Sequence, residues 1–366
     1  MKHLGRLTLE EKAGQLFFVG FQGHAPDANT RAMLDLVQPG GIVLSQRNIE
    51  NFDQLHELTR QFVEGPAIPA LVGICQEGGS MDRLKQVFAP LPSLRDVAGA
   101  GVTQVRLLAR VIATELEAAG FNTSFTPVLD LERPDSVMKL RSIASNAADV
   151  SRLAAAFCEE FADKGILACP KHFPGLGSAR LDPHFRLPRI DTPKRQLFQE
   201  DILPFLDLID DVPMMMIGHA YYPALMDERP MPASLSPRIV DGLLRKKLGF
   251  QGVIITDDLT MGAVNSMGLT PDLFLRAFEA GNDMLLFSQS TPLVEQAFRT
   301  ITRACRKSAA LRARLDQSVE RILAIKRRIP AASPRYRSEL RTRVLRQIDR
   351  LNKNIATHER GVLVPL

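Results

Sequence analysis

Eight short, nearly all-apolar runs rich in β-branched residues recur along the chain, at 16–21, 41–45, 70–75, 124–130, 166–172, 214–220, 252–258 and 283–288. Runs of this length without a polar alternation read as strands covered on both faces. Helical spacing fills the gaps between them. In 102–119, Val105, Leu108, Ala109, Ile112, Leu116 and Ala119 fall on one face, and 149–164, 194–208, 236–247, 271–281 and 291–307 repeat the pattern. Buried strands alternating with helices predict an α/β fold with a parallel sheet, and eight of them predict a single-domain (β/α)8 TIM-type barrel. An open doubly wound sheet is the alternative. At 366 residues, 45% of them apolar, the chain can build either core.

Chemistry-bearing residues gather where these runs stop. The third run ends in Cys75-Gln76-Glu77-Gly78-Gly79, the fourth in Asp130, the fifth in Lys171-His172, the sixth in His219 and the seventh in Asp257-Asp258. In a parallel barrel those ends converge on one rim, where such folds do chemistry. The densest signal is Lys171-His172-Phe173-Pro174-Gly175-Leu176-Gly177, followed by Asp182-Pro183-His184 and Leu187-Pro188. The glycines suit a loop that folds over a ligand. An aspartate two residues from a histidine can fix its tautomer and raise its basicity, which makes a proton carrier near neutral pH.

These residues resemble the signature of glycoside hydrolase family three, in its bacterial N-acetylglucosaminidase branch. The resemblance runs from about residue 7 to 327. It also takes in 16–23 (LFFVGFQG), 76–79 (QEGG), 125–131 (FTPVLDL), 222–225 (YPAL), 235–237 (LSP) and 248–261 (LGFQGVIITDDLTM). It implies that Asp257 is the nucleophile of a retaining mechanism with a covalent glycosyl-enzyme intermediate. It implies that His184 is the acid/base, oriented by Asp182, and that Lys171, His172, Arg83, Arg141, Cys75 and His219 stand at sugar-binding positions. Asp258 and Glu77 are expected in structural roles. The implied activity is removal of terminal β-linked N-acetylglucosamine from cell-wall disaccharides bearing anhydro-N-acetylmuramic acid. No metal or other cofactor is expected.

The chain departs from the family pattern at several points. Cys75 stands where the family has Asp, Ser80 where it has Arg, Leu176 and Ser178 where it has His and often Asp, and Pro183 where it has Ser. A thiol is a poor acceptor for sugar hydroxyls, so a shifted substrate preference is expected. A phosphorylase and a catalytically silent sugar-binding barrel are the competing readings.

Other classes are disfavoured. The four cysteines are scattered, which argues against structural zinc and suits a reducing compartment. There is no dinucleotide or phosphate-loop fingerprint, no apolar run of membrane-spanning length, and no signal-peptide pattern in the first residues. A cytoplasmic location is therefore expected. The net charge is +5, and the excess of Arg and Lys after Pro334 accounts for all of it. The body is near neutral, so nucleic acid is not an expected partner. The chain is thus divided into a barrel, 1–330, and a basic amphipathic extension, 331–366. In the extension Leu340, Val344, Leu345, Ile348 and Leu351 form an apolar stripe that would pack on the barrel or on a second subunit.

Overall fold

The computed structural model describes residues 4–226, 229–289, 292–329 and 338–359. Eight parallel strands appear: β1 (Phe17–Val19), β2 (Gly41–Val43), β3 (Leu71–Ile74), β4 (Thr123–Ser124), β5 (Leu167–Ala168), β6 (Met214–Ile217), β7 (Val253–Asp258) and β8 (Met284–Phe287). Their order is β5-β4-β3-β2-β1-β8-β7-β6. Because β1 pairs with β8, in the register Phe18↔Leu286, the sheet curls round on itself. Residues just beyond β5 close the gap to β6. Met216 N donates to Pro170 O at 3.0 Å, Phe173 N to Met216 O at 2.9 Å, and Gly218 N to Phe173 O at 2.9 Å. The (β/α)8 barrel holds, and the open-sheet alternative does not.

The helices before β5 are α1 (Leu9–Gln15), α2 (Ala28–Val37), α3 (Phe52–Glu64), α4 (Leu94–Ala98), α5 (Val102–Ala119) and α6 (Ala147–Asp163). After it come α7 (Lys194–Gln196), α8 (Leu203–Asp207), α9 (Gly262–Asn265), α10 (Pro271–Glu279), α11 (Pro292–Lys307), α12 (Ala309–Lys326) and α13 (Ser338–Glu359). Phe18 points into the barrel, edge-on to Phe125 at 5.2 Å, while Phe17 turns outward to Phe298 of α11 at 6.0 Å. Gly41 makes room for this packing, since a Cβ there would sit 2.4 Å from the Phe18 ring.

Three expectations change. The fourth and fifth runs carry only two ladder residues each, then continue as irregular extended chain with an isolated Val128↔Lys171 bridge. Pro127 and Pro170 explain this, because neither can donate to a ladder. The helix expected over 194–208 is broken into α7, a wide turn at Leu197–Asp201 and α8. Pro204 lacks the N–H that an unbroken helix needs, and Ile202 N instead reaches back five residues to Leu197 O at 2.8 Å. In the basic extension, Val344, Ile348 and Leu351 are buried and α13 packs against α5, but Leu345 of the expected stripe faces solvent. Arg341 fastens this helix, donating to Val87 O at 3.2 Å and lying over the Phe52 ring at 5.6 Å. The remainder of the extension lies outside the described residues.

Candidate active site

The rim at the C-terminal strand ends carries two linked sets of charged groups. The first is built on the residues following β3 and β5. The Lys171 side chain is fully buried, and its Nζ donates to Glu77 Oε1 at 2.7 Å and to Cys75 Sγ at 3.4 Å. Burial alone would lower the Lys171 ammonium, but Cys75 and Glu77 reverse this and keep it protonated. Arg141 grips the same Glu77 with two parallel bonds, Nε to Oε2 at 3.0 Å and Nη2 to Oε1 at 2.7 Å. Burial opposes ionisation of Glu77, yet these two cations hold its carboxyl well below the usual range. Glu77 is therefore the anionic hub of the pocket wall.

The second set surrounds Asp257. His172 Nδ1 lies 2.7 Å from Asp130 Oδ2, and since a carboxylate only accepts, Nδ1 carries the hydrogen. Asp130 Oδ1 also accepts from Leu176 N at 2.6 Å, which pins the glycine-rich loop to the same anchor. His172 Nε2 is left facing Asp257 Oδ2 at 4.0 Å. That is too long for a direct hydrogen bond and wide enough for a hydroxyl bonded to both. Asp257 is 15% exposed, so it meets the rim rather than the core. Burial pushes its carboxyl up, but His172, His219, the Asp258 N–H (2.8 Å to Oδ1) and Lys171 outweigh burial and hold it below its ordinary range. The group is an anion poised at the open end of the barrel.

His219 sits beneath this anion, fully buried. Its Nε2 lies 3.0 Å from the Asp258 carbonyl, so Nε2 donates, and Nδ1 accepts from Ser234 Oγ at 2.8 Å. Burial keeps this imidazole below its ordinary range. Both nitrogens are engaged by protein, which makes His219 a satisfied buried histidine under the site. Asp258 turns away to accept from Thr260 N and Oγ1 at 2.9 and 2.8 Å and from Ser288 N at 3.2 Å.

The remaining pair arrives on a loop. Asp182 Oδ1 accepts from both the backbone N and Nδ1 of His184, at 2.8 and 2.7 Å. Burial would raise Asp182, but these two bonds and the nearby Arg141 hold it low. The His184 side chain is 64% exposed. Its loop is docked on the segment that follows β7: Gly262 N donates to His184 O at 2.8 Å and Ala263 N to Pro183 O at 3.0 Å. A Cβ at Gly262 would come within 2.3 Å of Phe185 O, so only glycine permits this approach. The loop bearing His184 and the strand bearing Asp257 are therefore tied together five residues beyond the carboxylate.

Cys75, Arg141 and Lys171 thus share one bonded set around Glu77, His172 faces Asp257 in the second, and Asp182 and His184 dock beside them. Arg83 stands apart: its backbone N donates to Gln76 Oε1 at 2.7 Å, while its guanidinium reaches Met81 Sδ at 3.3 Å and lies near Arg47. Sequence reading missed the ligation of His172 by Asp130 and underrated Glu77. It also missed Glu115, a fully buried acid on α5 whose Oε2 accepts from Gln76 Nε2 at 3.0 Å. Burial, with Asp82 adding to it, pushes the Glu115 carboxyl up, beneath the Gln76–Glu77 turn. The signal was present, since Glu115 lies on the apolar stripe of its helix with Leu108 and Ile112.

Residues 8–325 match the glycosyl hydrolase family 3 N terminal domain. Proteins named beta-hexosaminidase are similar to the chain: one from Idiomarina loihiensis is 33% identical over 264 residues (71% of this chain, 79% of that protein). Another, from Alkalilimnicola ehrlichii, is 34% identical over 290 residues (77% and 82%). Among solved structures, a glycoside hydrolase family 3 beta-N-acetylglucosaminidase from Paenibacillus sp. str. FPU-7 superposes with a TM-score of 0.85 at 31% identity, over 95% of this chain and 69% of that one. With a strand-end carboxylate, its buried histidine and lysine neighbours and a loop-borne histidine all inside the matched region, the chain belongs to glycosyl hydrolase family 3 and is a glycoside hydrolase.

Proposed function

We propose that the chain is a retaining, exo-acting β-N-acetylglucosaminidase in which Asp257 is the nucleophile and His184, oriented by Asp182, is the acid/base. The observation that carries this reading is the anionic Asp257 at the rim, 4.0 Å from His172 and five residues from the glycine on which the His184 loop docks. Asp257 attacks the anomeric carbon while the His184 imidazolium protonates the leaving oxygen. The neutral imidazole then takes a proton from water, which displaces the carboxylate and releases the sugar with retained configuration. Asp182, bonded to Nδ1, fixes the imidazole so that Nε2 carries the transferred proton. Lys171 and His172 orient the sugar hydroxyls. The names of the relatives support N-acetylglucosamine as the departing sugar. The resemblance to the bacterial branch supports cell-wall disaccharides ending in anhydro-N-acetylmuramic acid, processed in the cytoplasm. No helix among the described residues is long and apolar enough to cross a membrane.

Turnover of para-nitrophenyl β-N-acetylglucosaminide tests the activity. Quenched wild-type enzyme should carry one N-acetylhexosamine residue by intact mass, and Asp257→Ala should carry none. An adduct that persists in Asp257→Ala removes that residue from the role. Cys75 favours one variation, a preference for a different β-glycoside, because its sulfur replaces a hydroxyl acceptor beside Lys171. A panel of para-nitrophenyl glycosides, with and without phosphate, separates hydrolysis of another sugar from phosphorolysis.

A further inference from the structure

Large apolar side chains that face solvent are scattered singly on most surfaces and then need no explanation. Here they are not scattered. Among the described residues eight are exposed, between 36% and 77%, and five of them, Val137, Leu140, Leu181, Phe185 and Met267, belong to the segments beside Arg141 and His184. Phe185 is the most exposed, at 77%, and directly follows His184; Leu140, at 68%, directly precedes Arg141. The two loops are stitched together: Val137 N donates to Ala179 O at 2.9 Å and Arg180 faces Asp135 at 3.6 Å. Met267 lies just beyond α9, on which the His184 loop rests. An apolar collar of this kind around a polar pocket marks a ligand-contact surface.

The chemistry of the reaction says which ligand. Lys171, His172 and Asp257 hold the sugar whose anomeric carbon reacts, so the leaving oxygen, and whatever it carries, must lie at His184. We infer that the apolar collar, with Phe185 as its platform, is the subsite for the leaving group, and that it selects a second pyranose ring presenting its C–H face. The chain contains no Trp, and among the described residues Phe185 is the one aromatic in the exposed apolar set, standing directly beside the acid for such stacking. A pyranose carries both an axial C–H face and equatorial hydroxyls. It can therefore rest on the ring while its polar edge stays in water. This inference rests on the assignment of His184 as the acid.

The test compares kcat/KM for di-N-acetylchitobiose, whose leaving group is a pyranose, with that for methyl β-N-acetylglucosaminide, whose leaving group is a methyl. In Phe185→Ala the ratio of the two should fall about tenfold. Phe185→Tyr, which keeps the ring, should restore most of it. Leu36→Ala, an equally simple truncation of an exposed residue on α2, should leave both rates alone. Equal loss on both substrates, or an unchanged ratio, would overturn the subsite while leaving the hydrolase assignment standing. Wild-type enzyme that turns over neither N-acetylglucosaminide would remove the functional reading and the subsite with it.

Discussion

The two ends of the barrel both bury charge, and they use it in opposite ways. At the N-terminal end, Asp283 is fully buried and both oxygens are saturated. Oδ2 accepts from Arg245 at 2.6 Å and Ile254 N at 3.0 Å, and Oδ1 from Ser318 at 2.8 Å and from Arg314 and Arg321 at 3.2 Å each. Arg245 also donates to the carbonyls of Phe250 and Gly252, tying the entry of β7 to that of β8. At the C-terminal end the network is deliberately incomplete. His172 Nε2 and Asp257 Oδ2 face each other without bonding, and Lys171 uses one donor on a carboxylate and one on a sulfur. Buried charge alone is thus no sign of a site. What separates rim from base is hydrogen-bonding capacity left for a ligand.

Five experiments break or sharpen that contrast. The largest effect should come from Asp257→Ala, which removes the rim's unsatisfied anion and should lower kcat on the order of 10⁴-fold with little change in melting temperature. A large drop in melting temperature would place Asp257 with the structural acids. His184→Ala should cost roughly 10²–10³-fold on an alkyl glycoside and much less on the nitrophenyl one, whose leaving oxygen needs no proton. Equal losses on both would deny His184 the acid role. At the base the signs reverse. Asp283→Ala strands three arginines and should cost about 3–5 kcal/mol in denaturant unfolding, while the enzyme that remains folded keeps its kcat.

Lys326 sharpens the base further. It is buried with Gln15 Oε1 as its one hydrogen-bond partner among the described residues, at 2.7 Å, and burial lowers it from 10.5 to about 7. The unfolded chain holds this proton up to pH 10.5, whereas the native state releases it near 7. Unfolding therefore takes up a proton across that window, and native stability should climb as pH rises through it. Lys326→Met should flatten this climb and stabilise the protein by roughly 1–2 kcal/mol at neutral pH, read from urea midpoints at several pH values. The smallest effect is expected at Cys75. Cys75→Asp would give Lys171 a second carboxylate and the sugar a second acceptor, raising kcat/KM on the N-acetylglucosaminide about three- to tenfold. An unchanged or lower rate would mean that the pocket is shaped around the thiol.

The barrel was legible because its signal is local and repeated. The runs at 41–45, 214–220 and 252–258 needed only apolar continuity, and α5 was bounded correctly at both ends by its spacing. The broken helix after Lys194 was not, because one Pro204 weighs little in a pattern but removes a specific hydrogen bond. At the site, sequence motifs placed Asp257 and the Asp182–His184 pair on the rim. They could not show that Arg141 is committed to Glu77 on two sides, that His219 has both nitrogens occupied, or that Arg83 points to Met81. Those facts depend on which side chain reaches which across non-adjacent segments. Residue type and spacing do not encode that.

The seam at residues 170–173 has a further consequence. Lys171 and His172 do not merely stand beside the last joint of the barrel; their backbone lies within the stretch that shuts it against β6. If Lys171 and His172 grip the sugar as proposed, the bound sugar would brace the cylinder like a wedge driven into its final stave. Saturation with a slowly turned-over N-acetylglucosamine analogue at about 100 times its Kd should add roughly 2.7 kcal/mol of stability overall. Its earliest mark should be slowed amide exchange at Met216 and Phe173, ahead of any change at the opposite pole.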